Sequence, residues 1–152
     1  MSKFKIYAKS ILIPVIVGGA VGLITSNAID YNNLVQPFFA PPSFLFPIVW
    51  TILFIVMGIS IYKIVVSNTN KKSEARLIYF IQLIVNALWT PIFFGFNQYF
   101  LAFLWILMLI VLVVTMILMF YKINKLSAYL NIPYLIWLLF ACYLNFGVYV
   151  LN

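Results

Sequence analysis

Five long apolar stretches run along the chain, separated by shorter polar connections. A helix of about 20 residues, rising 1.5 Å per residue, crosses the roughly 30 Å hydrocarbon core of a bilayer. The stretches are continuously apolar rather than alternating, so they predict helices and not the strands of a membrane barrel. The predicted spans are residues 10–27, 44–66, 77–96, 100–121 and 129–151. The pattern therefore predicts one all-α integral membrane domain, a five-transmembrane-helix bundle over residues 1–152.

The basic residues are sorted between alternate connections. In order along the chain, three, none, four, none, two and no Lys or Arg residues flank or separate the spans, and the four include Lys63 in the last turn of the second span. This positive-inside pattern predicts a cytoplasmic N-terminus and a C-terminus outside, in a multi-pass protein of a bacterial plasma membrane. Only 7% of residues are charged, against about 25% in soluble domains, so most of the surface faces lipid. The net charge of +7 then indicates topology and attraction to anionic headgroups, and not nucleic-acid binding.

Residues for conventional catalysis are scarce. The chain has no His, and its acidic residues are Asp30 and Glu74, neither of which lies mid-span. Its single cysteine, Cys142, cannot form an intramolecular disulfide and lies in an apolar stretch. The sequence therefore predicts no metal site, and it argues against an acid–base enzyme and a proton-relay pump.

Three predicted helices carry stripes of Trp with amides or small residues. The stripes are Trp50, Phe54 and Met57; Gln82, Asn86, Trp89 and Phe93; and Pro133, Trp137, Ala141 and Asn145. Polar side chains in lipid normally face the bundle interior, so the stripes should converge on an aromatic-walled cavity for a flat, apolar ligand. The alternative is a packed core joined by amide hydrogen bonds of about 0.6 to 2 kcal/mol each. We favour packing for Gln82 alone and a pocket for Trp50, Asn86 and Trp137 together.

The longest connection is the loop over residues 28–43. It contains no cation but several aromatic residues and the pair Pro41-Pro42. Two interpretations remain open. The loop folds over the outer mouth of the bundle as a lid, or its aromatic residues form an interfacial belt.

Small residues and a proline should shape the packing of the helices. Gly18, Gly22 and Ser26 lie four apart on one helix face and permit close helix approach, either inside the bundle or at a dimer interface. Pro91 should kink the third helix.

The motifs around these residues identify a family. Residues Pro37–Pro42 precede Phe46–Thr51, Gln82–Pro91 form a second motif, and Pro133–Trp137 lead into a third motif with Ala141 and Asn145. Over nearly its whole length the chain resembles the tryptophan-rich sensory protein/translocator protein family, also called peripheral-type benzodiazepine receptors.

The resemblance implies a five-helix bundle, often a homodimer, with a pocket beneath the first loop. The pocket would bind porphyrins such as protoporphyrin IX, as ligand or substrate, and benzodiazepine-like or isoquinoline drugs, with no resident cofactor. In some bacterial members it would support light- and oxygen-dependent porphyrin breakdown, with Trp50 and Trp137 as redox-active or positioning indoles. Tyr31 would lie in the closing loop. The implied wall comprises Pro41, Trp50, Phe54, Asn86, Trp89, Trp137 and Ala141.

The same resemblance leaves other functions open. Family members have also been called transporters and stress regulators, and a bundle whose Trp residues only pack is the third alternative. Where the family often has Trp in the loop, this chain has Phe38 and Phe39. The contacts that the loop makes with a ligand therefore need not be those of its relatives.

Overall fold

A computed structural model describes residues 1–25 and 31–152 of the chain. These residues form an all-helical bundle without strands, and five helical stretches are long and apolar enough to cross a membrane. The predicted fold class is thereby confirmed. The helices are α1 (Lys3–Thr25), α2 (Leu45–Val65), α3 (Lys72–Thr90), α4 (Tyr99–Tyr121), α5 (Lys125–Tyr129) and α6 (Ile132–Leu151).

The first and third helices begin earlier than the hydropathy pattern predicts. α1 starts at Lys3 and not at residue 10, and α3 starts at Lys72 and not at residue 77. Hydropathy marks only the part of a helix that lies in hydrocarbon, whereas backbone hydrogen bonding continues into the polar turns where nothing breaks it. Residues 26–30 lie outside the described residues. They include Ser26 of the small-residue stripe, the predicted end of the first span at Asn27 and the first part of the loop, 28–30.

The last predicted span, 129–151, corresponds to α6, and the short helix α5 precedes it. Asn124 caps α5 by accepting a hydrogen bond from the backbone N–H of Ser127 at 3.0 Å, and Pro133 lies in the first turn of α6. Between them, the Asn131 side chain donates to Ser60 Oγ of α2 at 2.6 Å. Ser60 and Ser127 also contact each other, with 3.0 Å between their hydroxyl oxygens. This buried polar cluster fixes the start of α6 against the end of α2.

Close helix contacts place α1 and α2 side by side. A Cβ at Gly58 would lie 2.5 Å from the Cα of Ile11, so only glycine allows the two backbones to approach here. On α1, the Phe54 ring occupies the space of a Cβ at Gly18, which therefore packs inside the bundle. A Cβ at Gly22 would meet no atom within 4 Å among the described residues. At Gly18 the interior-packing interpretation of the small-residue stripe therefore applies.

The predicted kink at Pro91 takes the form of a π-helical turn. Pro91–Gly95 continue α3 with wider spacing, and the N–H of Phe96 donates to the Pro91 carbonyl at 2.9 Å. Asn97 then turns the chain into α4 with a positive φ of 53°. The wide turn directs Phe93 into the bundle, where its side chain is buried.

Candidate ligand cavity

A cavity of about 630 Å³ opens among α1, α2, α3, α4 and α6 beneath the first loop. Its aromatic wall includes three of the four Trp residues of the chain. Binding cavities for small molecules typically measure about 300 to 1,000 Å³ and are mostly apolar with a few polar groups. The aromatic residues lining it are Tyr31, Phe46, Trp50, Phe54, Trp89, Phe93, Phe94 and Trp137.

The structure brings the predicted site residues together around this one cavity. Seven of the eight line it: Tyr31, Trp50, Phe54, Asn86, Trp89, Trp137 and Ala141. Pro41 is the exception, because it lies outside the lining. Its carbonyl instead accepts a 3.0 Å hydrogen bond from the Tyr31 hydroxyl, so it orients a lining residue from behind. That these residues bind a ligand stays a prediction.

The two indoles at the centre of the wall contact each other edge to face. The ring centroids of Trp50 and Trp137 lie 6.5 Å apart with an interplanar angle of 87°. Phe54 stacks on Trp50 at 5.5 Å, and Phe46 approaches Trp137 at 5.9 Å. Aromatic pairs prefer such offset and edge-to-face arrangements, which hold the rings in fixed orientations. The wall of the cavity therefore consists of aromatic rings that pack against one another.

The indole N–H groups differ in their partners. Trp105, which lies outside the cavity, donates to the Val85 carbonyl at 2.7 Å. Trp89 donates to Asn145 Oδ1 at 2.9 Å. The Trp137 N–H is buried and has no hydrogen-bond partner among the described residues. An unsatisfied buried donor is costly, so an acceptor atom of a ligand that reached this N–H would relieve that cost.

A chain of polar side chains lies behind the wall. Asn86 donates to the Tyr134 hydroxyl at 2.6 Å, and that hydroxyl donates to Gln82 Oε1 at 2.8 Å. The Gln82 amide in turn reaches the Met57 sulfur at 3.5 Å. Gln82 therefore serves packing, as predicted, whereas Asn86 both packs and lines the cavity. The sequence did not predict a role for Tyr134. Its position directly after Pro133, within the third motif, was the feature that could have indicated one.

A second polar link ties the far end of the cavity together. Asn145 accepts from Trp89, and its amide donates to the carbonyl of Tyr99 at 2.9 Å. Trp89 also stacks on Phe93 with 5.0 Å between the ring centroids. Asn145 lines the cavity as well. This one buried amide joins α6 to the end of α3 and the start of α4.

The described part of the first loop covers one side of the cavity. Tyr31 and Gln36 line it, and the Gln36 amide donates to the Tyr31 carbonyl at 2.7 Å. Burial raises the pKa of the Tyr31 hydroxyl, so it stays a protonated donor. Phe38 and Phe39 lie outside the lining, with 77% of each side chain exposed. Residues 31–36 thus support the lid interpretation, and the two phenylalanines suit an interfacial position.

The described part of the loop is anchored to α6 and to the residue that follows it. The Asn152 amide pairs with the backbone of Val35 through two hydrogen bonds of 3.1 and 3.0 Å. The Tyr143 hydroxyl donates to the Phe38 carbonyl at 2.6 Å. Pro37 packs against Gly147, where a Cβ would collide with its ring. These contacts hold the loop in place over the cavity.

None of the described side chains that line the cavity carries a charge. Its polar groups are amides, hydroxyls and indole N–H groups. Among the described residues, no three His, Cys, Asp or Glu side chains form a group that could hold a metal ion. The arrangement suits recognition by shape, stacking and neutral hydrogen bonds.

Sequence comparisons agree with this architecture. The sequence model of the TspO/MBR family matches residues 10–151. Protein CrtK of Rhodobacter capsulatus is 36% identical over 138 residues, which cover 88% of this chain and 85% of the relative. Tryptophan-rich protein TspO of Archaeoglobus fulgidus is 35% identical over 145 residues, 94% of each chain. The translocator protein of Homo sapiens is 33% identical over 122 residues, which cover 78% of this chain and 72% of the relative. The chain therefore belongs to the TspO/MBR family of multi-pass membrane proteins.

Proposed function

We propose that this protein is a receptor for planar aromatic ligands, namely porphyrins such as protoporphyrin IX and benzodiazepine- or isoquinoline-type compounds. The observation that carries the proposal is the cavity of about 630 Å³ whose wall contains Trp50, Trp89 and Trp137. Flat macrocycles stack on indole and phenol rings, and a wall of packed rings incurs little ordering cost on binding. The relatives named sensory and translocator proteins fit a receptor-like role.

The uncharged lining limits the affinity for an anionic porphyrin. Its carboxylates would have to be satisfied by amides, hydroxyls and N–H groups, since the described lining offers no cation. Neutral hydrogen bonds are weaker than charge-assisted ones, so we expect a dissociation constant in the micromolar range, about −8 kcal/mol.

A photochemical role for the wall is the finer part of the proposal. A bound porphyrin absorbs light and carries out its own oxygen chemistry, so the protein need only bind and orient it and exchange electrons with it. Trp50 and Trp137 are the residues proposed for this, because their rings contact each other in the cavity wall. They would then support light- and oxygen-dependent breakdown of the porphyrin.

Illumination in air tests the role of the two indoles. Trp50→Phe and Trp137→Phe, saturated with protoporphyrin IX, should each lower the yield of degraded pigment several-fold, because phenylalanine keeps an aromatic wall but is a poorer electron donor. Absorption spectra and mass spectrometry of the extracted pigment measure the yield. Trp105→Phe is the matched control, since Trp105 lies outside the cavity. Equal yields from all four proteins would leave binding without photochemistry.

Transport or sensing without chemistry is the second candidate. It is favoured by the loop that covers the cavity, which could gate it, and by the names of relatives called translocator and sensory proteins. Proton coupling is not part of it, because no acidic residue or His lies mid-span to form a relay. Recovery of unaltered porphyrin after passage into protein-containing vesicles, in the dark and in the light, would favour this candidate over the first.

A further inference from the structure

A second, smaller cavity lies at the opposite end of the bundle from the covering loop. It measures about 320 Å³ and is formed where α1 begins, α2 ends and α3 begins. Unlike the ligand cavity, it contains two cationic side chains, Lys9 of α1 and Arg76 of α3. We refer to it as the basic groove. Its apolar wall includes Ile6, Ile13, Ile61, Val65 and Phe80.

We infer that the basic groove binds an anionic phospholipid. The lipid phosphate would be held between Lys9 and Arg76, and the part of an acyl chain nearest the headgroup would lie against the apolar wall. This inference is independent of the ligand proposed for the larger cavity. The bound lipid would belong to the leaflet in which the N-terminal ends of α1 and α3 lie.

The helix topology places the two cations at a similar depth. α2 runs back between α1 and α3, so α1 and α3 begin on the same side of the membrane. Lys9 is the seventh residue of α1 and Arg76 the fifth of α3, which puts them about 9 Å and 6 Å from the helix starts at 1.5 Å per residue. The headgroup layer of a bilayer is of similar thickness, roughly 5 to 8 Å per leaflet. Helices that begin at the outer edge of this layer would therefore place both cations near the depth of lipid phosphates.

No described residue neutralises the charge of the groove. Lys9 and Arg76 are exposed, and neither forms a salt bridge with any described residue. Glu74 lies two positions before Arg76 on α3 but makes no ion pair with it. Two cations that line one groove without an ion pair among the described residues are complementary to an anion, and a guanidinium is well suited to a phosphate.

The apolar wall indicates a lipid and not a free anion. Ile13 and Phe80 are 39% and 36% exposed and lie on stretches long enough to cross the membrane, so the groove continues onto a lipid-facing surface. A soluble phosphate would make no use of this wall, whereas the acyl chain of a lipid can pack against it and remain in an apolar environment. The combination of paired cations and apolar surface fits an amphiphile with an anionic head.

Native mass spectrometry of the full chain, released from nanodiscs of equal phosphatidylglycerol and phosphatidylcholine, tests the inference. Wild-type protein should retain phosphatidylglycerol preferentially. The double variant Lys9→Gln/Arg76→Gln should lose that preference by about tenfold or more, because each cation near a membrane surface contributes about 1 kcal/mol. The control Lys122→Gln/Lys125→Gln removes the same charge outside the groove and should change the preference less than twofold. Equal losses in both variants would mean diffuse electrostatic attraction and would overturn the inference.

Two further measurements distinguish a bound lipid from a bound free anion, and a charge effect from a structural one. Soluble glycerol phosphate at millimolar concentration should not displace the retained phosphatidylglycerol. Displacement would indicate a site for free phosphate instead. The charge-conserving variant Lys9→Arg/Arg76→Lys should keep most of the preference. If it loses the preference as fully as Lys9→Gln/Arg76→Gln, while its thermal stability stays at the wild-type level, the positive charges do not hold the lipid and the inference is wrong.

Discussion

Replacing Ala141 by leucine should weaken protoporphyrin IX binding by about tenfold to a hundredfold. Ala141 lines the cavity on α6, one turn after Trp137 and one turn before Asn145. Leucine adds three carbon atoms at this point without removing any hydrogen bond. Inserting extra methylenes into a filled space typically costs about 1 to 3 kcal/mol, and 1.4 kcal/mol is a factor of ten in affinity. Quenching of Trp fluorescence during a porphyrin titration gives the dissociation constant.

A matched substitution separates steric block from general disturbance. Ala20 is an exposed residue of α1 that does not line the cavity, so Ala20→Leu should leave the dissociation constant within twofold of wild type. If Ala141→Leu folds normally and binds as tightly as Ala20→Leu, the porphyrin does not occupy this cavity.

Asn145→Leu should lower the free energy of unfolding by about 2 kcal/mol and weaken ligand binding as well. The substitution keeps four side-chain heavy atoms with the same branching but removes both the acceptor for Trp89 and the donor to Tyr99. Each buried group left unsatisfied costs about 1 to 3 kcal/mol, although single side-chain hydrogen bonds inside membranes average nearer 0.6 kcal/mol. Asn145 is 2% exposed, so the loss of its two hydrogen bonds should lower the free energy of unfolding by about 2 kcal/mol in total. Unfolding by SDS titration measures it.

A double-mutant cycle identifies the source of this loss. Trp89→Phe removes the same indole N–H from the other side, so the pair Trp89→Phe/Asn145→Leu should cost clearly less than the sum of the two single changes. Asn68→Leu, at an exposed loop position, should change stability by less than about 0.5 kcal/mol. Strict additivity within the cycle would contradict the bridging role of Asn145.

The sequence alone was sufficient for the membrane fold and for most of the cavity wall. Long apolar stretches have few ways to satisfy their backbone in lipid, so the five-helix class followed from length and hydropathy. The stripes through Trp50, Asn86 and Trp137 pointed to one cavity because polar and indole side chains avoid lipid and so turn inward. The helical spacing of these residues along α2, α3 and α6 is therefore enough to predict which side chains face the cavity.

The remaining details depend on contacts between residues far apart in sequence. Pro41 was expected to line the cavity wall. Instead, the Tyr31 side chain lines the cavity, and the Pro41 carbonyl accepts a hydrogen bond from the Tyr31 hydroxyl. At the break between α5 and α6, the Asn131 side chain donates a hydrogen bond to Ser60, which lies 71 positions earlier in the sequence. The polar turns of α1 and α3 were missed because hydropathy does not report helix beyond hydrocarbon. Such features arise from tertiary packing, which local patterns do not encode.

The central claim is that the indole and amide faces of α2, α3 and α6 enclose a binding cavity within the membrane. A structure of the protein in lipid nanodiscs with saturating protoporphyrin IX tests it most directly. We predict density for one planar ring inside the cavity, in contact with Trp50 and Trp137 and beneath Tyr31. Porphyrin density only on the lipid-facing surface, with the cavity empty of ligand at saturation, would contradict the account.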